Sequence, residues 1–130
     1  MRGLMAVSAA FWCLMSGVPH TARAQFPVPQ AAPDGATLFA RQCGACHVAK
    51  VEAEPRQGPN LWGVFGRRAG SIADFTYSGK FAASGITWDE TTLDAYLTNP
   101  QAVIEGSVMA YRQANADTRT RIIAWLKDQH

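Results

Sequence analysis

Cys43-Gly44-Ala45-Cys46-His47 is the run that most constrains what this chain can fold into. Two cysteines at this spacing hold both sulfurs on one side of a single turn. The histidine that follows lies where a ring nitrogen can bind a metal. C-x-x-C-H is the attachment signature of c-type haem. The thiols add to two vinyl groups of one haem, and the imidazole ligates the iron. The expected cofactor is therefore one haem c, covalently bound through Cys43 and Cys46, with His47 as a metal ligand. Three other readings exist: half a zinc site, a redox dithiol and a disulfide. Zinc needs four ligands, and beyond the leader the only other histidine is His130, with no second cysteine pair. A thioredoxin-like dithiol expects a preceding strand, whereas the approach to Cys43 reads as helix.

The start of the chain reads as a secretory leader. Arg2 supplies a positive n-region, Leu4 to Val18 an apolar stretch, and Ala22-Arg23-Ala24 a cleavage site. The expected division is residues 1–24 signal peptide, 25–33 extended lead-in and 34–130 a single haem-binding domain. Cys13 belongs to the leader, so the mature chain has two cysteines and the haem uses both. Export fits thioether chemistry, which needs thiols delivered across the membrane. The expected location is a bacterial periplasm, with no transmembrane segment in the mature chain.

The whole sequence carries twelve Lys and Arg against ten Asp and Glu. Losing Arg2 and Arg23 with the leader leaves ten against ten, so the mature chain is formally neutral. That balance argues against a nucleic-acid partner and against strong steering by net charge.

The elements after the leader read as helices and loops. Asp34 is a plausible N-cap for a helix over residues 35–45 that delivers Cys43. Residues 48–60 read as a loop. Residues 60–70, with three glycines among Leu61, Trp62, Val64 and Phe65, can wrap a flat ligand closely. Residues 77–84 suit a short helix ended by Gly85. Thr87 with Glu90 resembles a capping box opening a helix that carries Leu93, Tyr96 and Leu97. Asn99-Pro100 marks an end or sharp bend, followed by one more turn over 101–105 and a loop over 106–114. A last helix starts near Asn115 or Asp117, with Ile122, Ile123, Trp125 and Leu126 apolar. No strand pair is evident, and the expected fold class is all-α. Such a chain buries little core alone, and a haem enclosed by the loops supplies the missing apolar volume.

A second axial ligand follows by elimination. Met1, Met5 and Met15 lie in the leader, leaving Met109 as the only methionine of the mature chain. It sits in the loop after Gly106. Its competitors are the terminal His130, Lys50, Lys80 or Lys127 after loss of a proton, or an open position. His/Met ligation raises the potential and fills both axial sites, which points to electron transfer with no residue catalytic in a bond-making sense.

These residues, together with Gly35 and Phe39, the run Gly58 to Arg67, Phe75-Thr76-Tyr77-Ser78, Gly85-Ile86-Thr87-Trp88, Leu93 to Pro100, Gly106-Ser107-Val108-Met109 and Ile122 to Leu126, resemble class I cytochrome c. The resemblance to the mitochondrial protein and its bacterial relatives covers about residues 33–128. It implies that Pro59 offers its carbonyl to His47, and that Tyr96 hydrogen-bonds near the Met109 sulfur. It implies that Arg67, Tyr77 and Trp88 hold a buried haem propionate, and that Gly35 and Phe39 pack on Ile122 and Trp125. The implied function is a soluble, monomeric, monohaem electron carrier of a respiratory chain. Implied partners are redox proteins such as a cytochrome bc complex, a terminal oxidase, a photosynthetic reaction centre or a periplasmic dehydrogenase.

The chain departs from the mitochondrial pattern at several positions. Glu105 replaces a proline before the methionine loop and is expected to loosen it. Phe81 stands where asparagine is common, Tyr111 where phenylalanine is, and Trp62 where histidine is frequent. Gln42, Gln101, Ala102 and Val108 occupy positions where lysines usually ring the haem edge, so association should depend less on salt. Two rival functions remain: a dedicated electron-transfer subunit of a periplasmic dehydrogenase, and a haem enzyme or sensor with a labile Met109.

Overall fold

A computed structural model of the chain describes residues 31–130. The leader expected over 1–24 and most of the expected lead-in lie outside the described residues. Among the described residues, four α-helices and one short 3-10 turn, Ala82–Ser84, are joined by long loops. Among the described residues there is no strand, only a single antiparallel bridge between Arg68 and Thr87.

Helix α1, Gly35–Gln42, starts where the Asp34 side chain accepts the Thr37 N–H at 2.7 Å. It stops three residues short of the expected end. Cys43 caps it, and the backbone tightens into a turn in which the Cys46 and His47 N–H groups both donate to Cys43 O, at 3.0 and 2.9 Å. The haem-attachment run is thus a turn of its own, held at a fixed point by the helix before it.

Helix α4, Ala116–Lys127, is capped by Asn115 and buries Ile122, Ile123 and Leu126. It packs against α1. A Cβ on Gly35 would strike Arg121 O and come within 2.5 Å of Trp125 Cβ, so only glycine lets the two backbones close. One turn on, the Phe39 and Trp125 rings stack with centroids 4.6 Å apart. The expected first-to-last helix contact is present.

Helix α2, Glu90–Thr98, departs from expectation at its start. Its cap is Asp89, in a capping box with Thr92, and not Thr87 with Glu90. Thr87 and Trp88 are taken up in the bridge: Trp88 N–H donates to Arg67 O at 2.9 Å, and Gly66 N–H donates to Trp88 O at 2.8 Å. An extended pair cannot also begin a helix, so the start moves two residues on.

Asn99, with φ −156° and ψ 92°, breaks the helix before Pro100. Helix α3, Pro100–Val103, then gives one short turn. The helix expected over 77–84 is reduced to Ala82–Ser84. Gly79 has φ +64°, and its Cα lies against the Gly106 backbone, where a Cβ would meet Gly106 C at 2.6 Å. That crossing bends the segment out of helical register and brings it against the loop carrying Met109.

Candidate haem site

His47 is fixed by two neighbouring residues. Its Nδ1 lies 2.9 Å from Pro59 O. A carbonyl can only accept, so Nδ1 carries the proton and Nε2 keeps its lone pair. The loop that brings Pro59 there is pinned by Gly58 N–H donating to Cys46 O at 2.8 Å. Gly58 also lies flat against the ring: a Cβ there would approach Nδ1 to 2.6 Å and Nε2 to 2.8 Å. Burial lowers the His47 pKa, and the Pro59 bond opposes this in part. The imidazole is therefore held neutral, as a metal ligand must be.

Cys43 and Cys46 are not joined to each other in a disulfide. Burial, with the neighbouring Cys46 adding to it, pushes the Cys43 thiol up to about 11. Such a thiol is a poor redox nucleophile, which disfavours the dithiol reading. Among the described residues no cluster of three His, Cys, Asp or Glu is placed to hold a metal ion, so the zinc reading lacks its second half.

Both sulfurs and the His47 ring face one cavity of about 360 Å³. The same cavity is lined by Pro59, Arg67, Tyr77, Trp88, Tyr96 and Met109, so all nine residues singled out in the sequence meet at one place. Much of its wall is apolar, from Leu61, Val64, Leu93, Leu97, Ile122 and Leu126. A hollow lined so largely by apolar side chains is suited to a flat apolar occupant.

The polar end of the cavity indicates the occupant's charge. Arg67 donates to Trp62 O at 2.7 Å and to Asn60 O at 2.9 Å. It has no carboxylate partner among the described residues, and no Asp or Glu lines the cavity. Burial lowers its pKa, and Tyr77 counters this, but a guanidinium stays charged. Burial raises the Tyr77 pKa, so its hydroxyl remains a donor. A half-buried cation beside a phenol fits an anionic substituent on a flat apolar ligand. The thiols, imidazole, apolar walls and basic end together fit haem.

Met109 reaches the cavity from the 106–114 loop. Tyr96 OH and Ser107 Oγ are 2.7 Å apart and buried. The phenol therefore engages the side chain two residues before Met109. Val108 N–H donates to Ser78 Oγ at 3.3 Å. The Gln101 amide donates to Met109 O at 2.6 Å. None of the competing ligands lines the cavity. Lys80 pairs with Glu105 at 2.7 Å, Lys127 lies over the Phe65 ring, and His130 bonds Lys127 O.

Glu105, which is expected to loosen this loop, makes two contacts with a neighbouring segment. Its side chain pairs with Lys80, and its carbonyl accepts the Lys80 N–H at 3.1 Å. Nothing local in the sequence links residues 25 positions apart, so this tie was not legible there. Ser107 and Gln101 were also missed as parts of the site. Gln42 accepts hydrogen bonds from Tyr111 and Gln113, so it too holds the loop.

A family model described as Cytochrome c matches residues 32–129. Cytochrome c2 of Rhodomicrobium vannielii is 44% identical over 91 residues, covering 69% of this chain and 73% of that protein. Cytochrome c of Chlamydomonas reinhardtii is 39% identical over 94 residues, covering 72% of this chain and 84% of its own length. Cytochrome c of Stellaria longipes is 40% identical over 95 residues, with 72% and 88% covered. A paired thiol turn, a neutral imidazole and an apolar hollow with a basic end thus coincide with similarity along nearly the whole described segment: the chain belongs to the cytochrome c family and binds haem c covalently through Cys43 and Cys46.

Proposed function

We propose that this cytochrome shuttles single electrons between redox proteins of a bacterial periplasm, its haem iron ligated by His47 and Met109. The observation that carries the reading is that Met109, the only methionine after residue 15, shares one cavity with both attachment thiols and the His47 ring. When bound, haem supplies the one-electron couple of its iron. Pro59 keeps the imidazole in the tautomer whose Nε2 can bind metal. Tyr96, Ser107 and Gln101 hold the segment from which Met109 projects. The apolar walls exclude water and so limit reorganisation when charge changes. Arg67, Tyr77 and Trp88 line the polar end and are assigned to a haem propionate. Were His47 and Met109 both to hold the haem iron, no ligand position would be left there for a substrate.

Export is assigned from the leader signals at residues 1–24. Among the described residues no helix is long and apolar enough to cross a membrane. Candidate partners remain a cytochrome bc complex, a terminal oxidase, a photosynthetic reaction centre or a periplasmic dehydrogenase. The rim favours one refinement. Val108 is 79% exposed, and Gln101 and Ala102 nearby are exposed and uncharged. That surface also suits a permanent subunit of a dehydrogenase. Gel filtration of a native extract separates the two: a free carrier elutes at its own size, and a subunit elutes with a larger enzyme.

The ligand assignment is tested with Met109→Leu. The ferric protein should lose the weak absorption near the red edge that reports an iron–thioether bond, and its potential should fall. An unchanged spectrum overturns the assignment.

A further inference from the structure

Gln101 ties three points of the Met109 loop to helix α3. Its Nε2 donates to Met109 O at 2.6 Å and to Ser107 O at 3.3 Å. Its Oε1 accepts from Arg112, at 2.7 Å from Nη2 and 3.3 Å from Nε. Backbone carbonyls only accept and a guanidinium only donates, so these partners leave the amide one orientation. Ser107, Met109 and Arg112 belong to a single stretch of six residues, all tied to one side chain of α3. α3 itself is anchored by fully buried Pro100 and Ile104. The amide therefore sets the loop against a rigid part of the core.

We propose that Gln101 is a positioning residue: by clamping the Ser107 and Met109 carbonyls and the Arg112 guanidinium, it limits how readily Met109 swings away from the iron. The proposal rests on Met109 being an axial ligand. Glutamine is suited to the role because it donates and accepts at once. A lysine at this position would repel Arg112 and offer it no acceptor.

The test uses the haem-loaded protein and imidazole, a neutral ligand that enters ferric iron only where the methionine has left. Gln101→Ala removes the clamp. Gln101→Glu is the sharper variant: it keeps the acceptor for Arg112, adds an ion pair, and sets carboxylate oxygen against two carbonyl oxygens. Ala102→Ser, on the same exposed face, serves as the control. Net hydrogen-bond worth predicts that imidazole affinity rises about two- to tenfold in Gln101→Ala, and at least as much in Gln101→Glu. The urea midpoint should stay close to that of the parent and Ala102→Ser unchanged. If Gln101 were merely a surface residue, Gln101→Glu would be neutral or would tighten the loop through Arg112. Unchanged or weaker imidazole binding in both Gln101 variants overturns the clamp. Met109→Leu run in parallel separates the two failures: a red-edge band that survives that substitution overturns the ligand assignment itself.

Discussion

Gly58 shows how one residue without a side chain can govern the placing of the His47 ring. The space a Cβ would take at Gly58 is filled by the His47 ring, and the next residue orients that ring through Pro59 O. Adding a methyl group there must push either the imidazole or the loop. Gly58→Ala is expected to destabilise the holoprotein by about 1–3 kcal/mol, the usual cost of overpacking. It should also lower the yield of covalently attached haem. Urea unfolding and the pyridine haemochrome assay measure the two effects. An equally stable variant with full haem content would show that the loop gives way freely. Arg67 makes the complementary point about charge: its two carbonyl partners aim the guanidinium and leave its charge for the occupant of the cavity.

Elements here are defined by their ends. Asp34 and Asp89 each accept a backbone N–H at a helix start, and these bonds, from Thr37 and Thr92, hold both carboxyls below their ordinary value of 3.8. A carboxyl whose pKa is depressed by folding stabilises the fold above its unfolded value. That contribution is lost as pH falls through the folded value. Stability should thus be flat near neutrality and decline from about pH 4 downward. Asp34→Asn and Asp89→Asn should each flatten that decline while leaving helix content at neutral pH, since asparagine also caps. Thermal melts across the acid range measure it. An acid limb identical to the parent's in both variants would assign the acid sensitivity elsewhere. The start of α2 also marks a limit of local reading. Thr87 and Glu90 have the spacing of a capping box, but the bridge to Arg68 claims Thr87, and Asp89 with Thr92 takes the role.

At the scale of the whole molecule, the ligand completes the core. Leu93, Leu97, Ile122 and Leu126 are buried, yet they also line the cavity. The α1–α4 contact can persist through Phe39, Trp125 and the close approach at Gly35. The loops over 48–88 and 106–114 contain little regular structure and depend on what they enclose. A Cys43→Ser/Cys46→Ser variant, which cannot attach haem, is expected to lose most of its far-UV circular dichroism or to melt far below the holoprotein. A cooperative, native-like melt without haem would show that the helices alone suffice.

The haem-attachment turn and the helices α1 and α4 were legible in the sequence because their signals are local, whereas the segment over 77–84 and the start of α2 were not. C-x-x-C-H needs only its own spacing, and Asp34, Asn99-Pro100 and Asn115 act within one turn of themselves. Met109 was also reachable as a candidate, because elimination among the methionines requires no geometry, and it lines the cavity. Contacts between residues distant along the chain depended on the tertiary fold. Gly79 against Gly106, Lys80 with Glu105, and Gln42 with Tyr111 and Gln113 join segments whose proximity follows only from how the loops close around the cavity. Gln101 belongs with them: alone it is a polar residue on a short helix, and the folded loop gives both ends of its amide a partner. Local sequence sets the backbone preferences and the chemistry a residue can offer, whereas long-range packing decides which groups that chemistry meets.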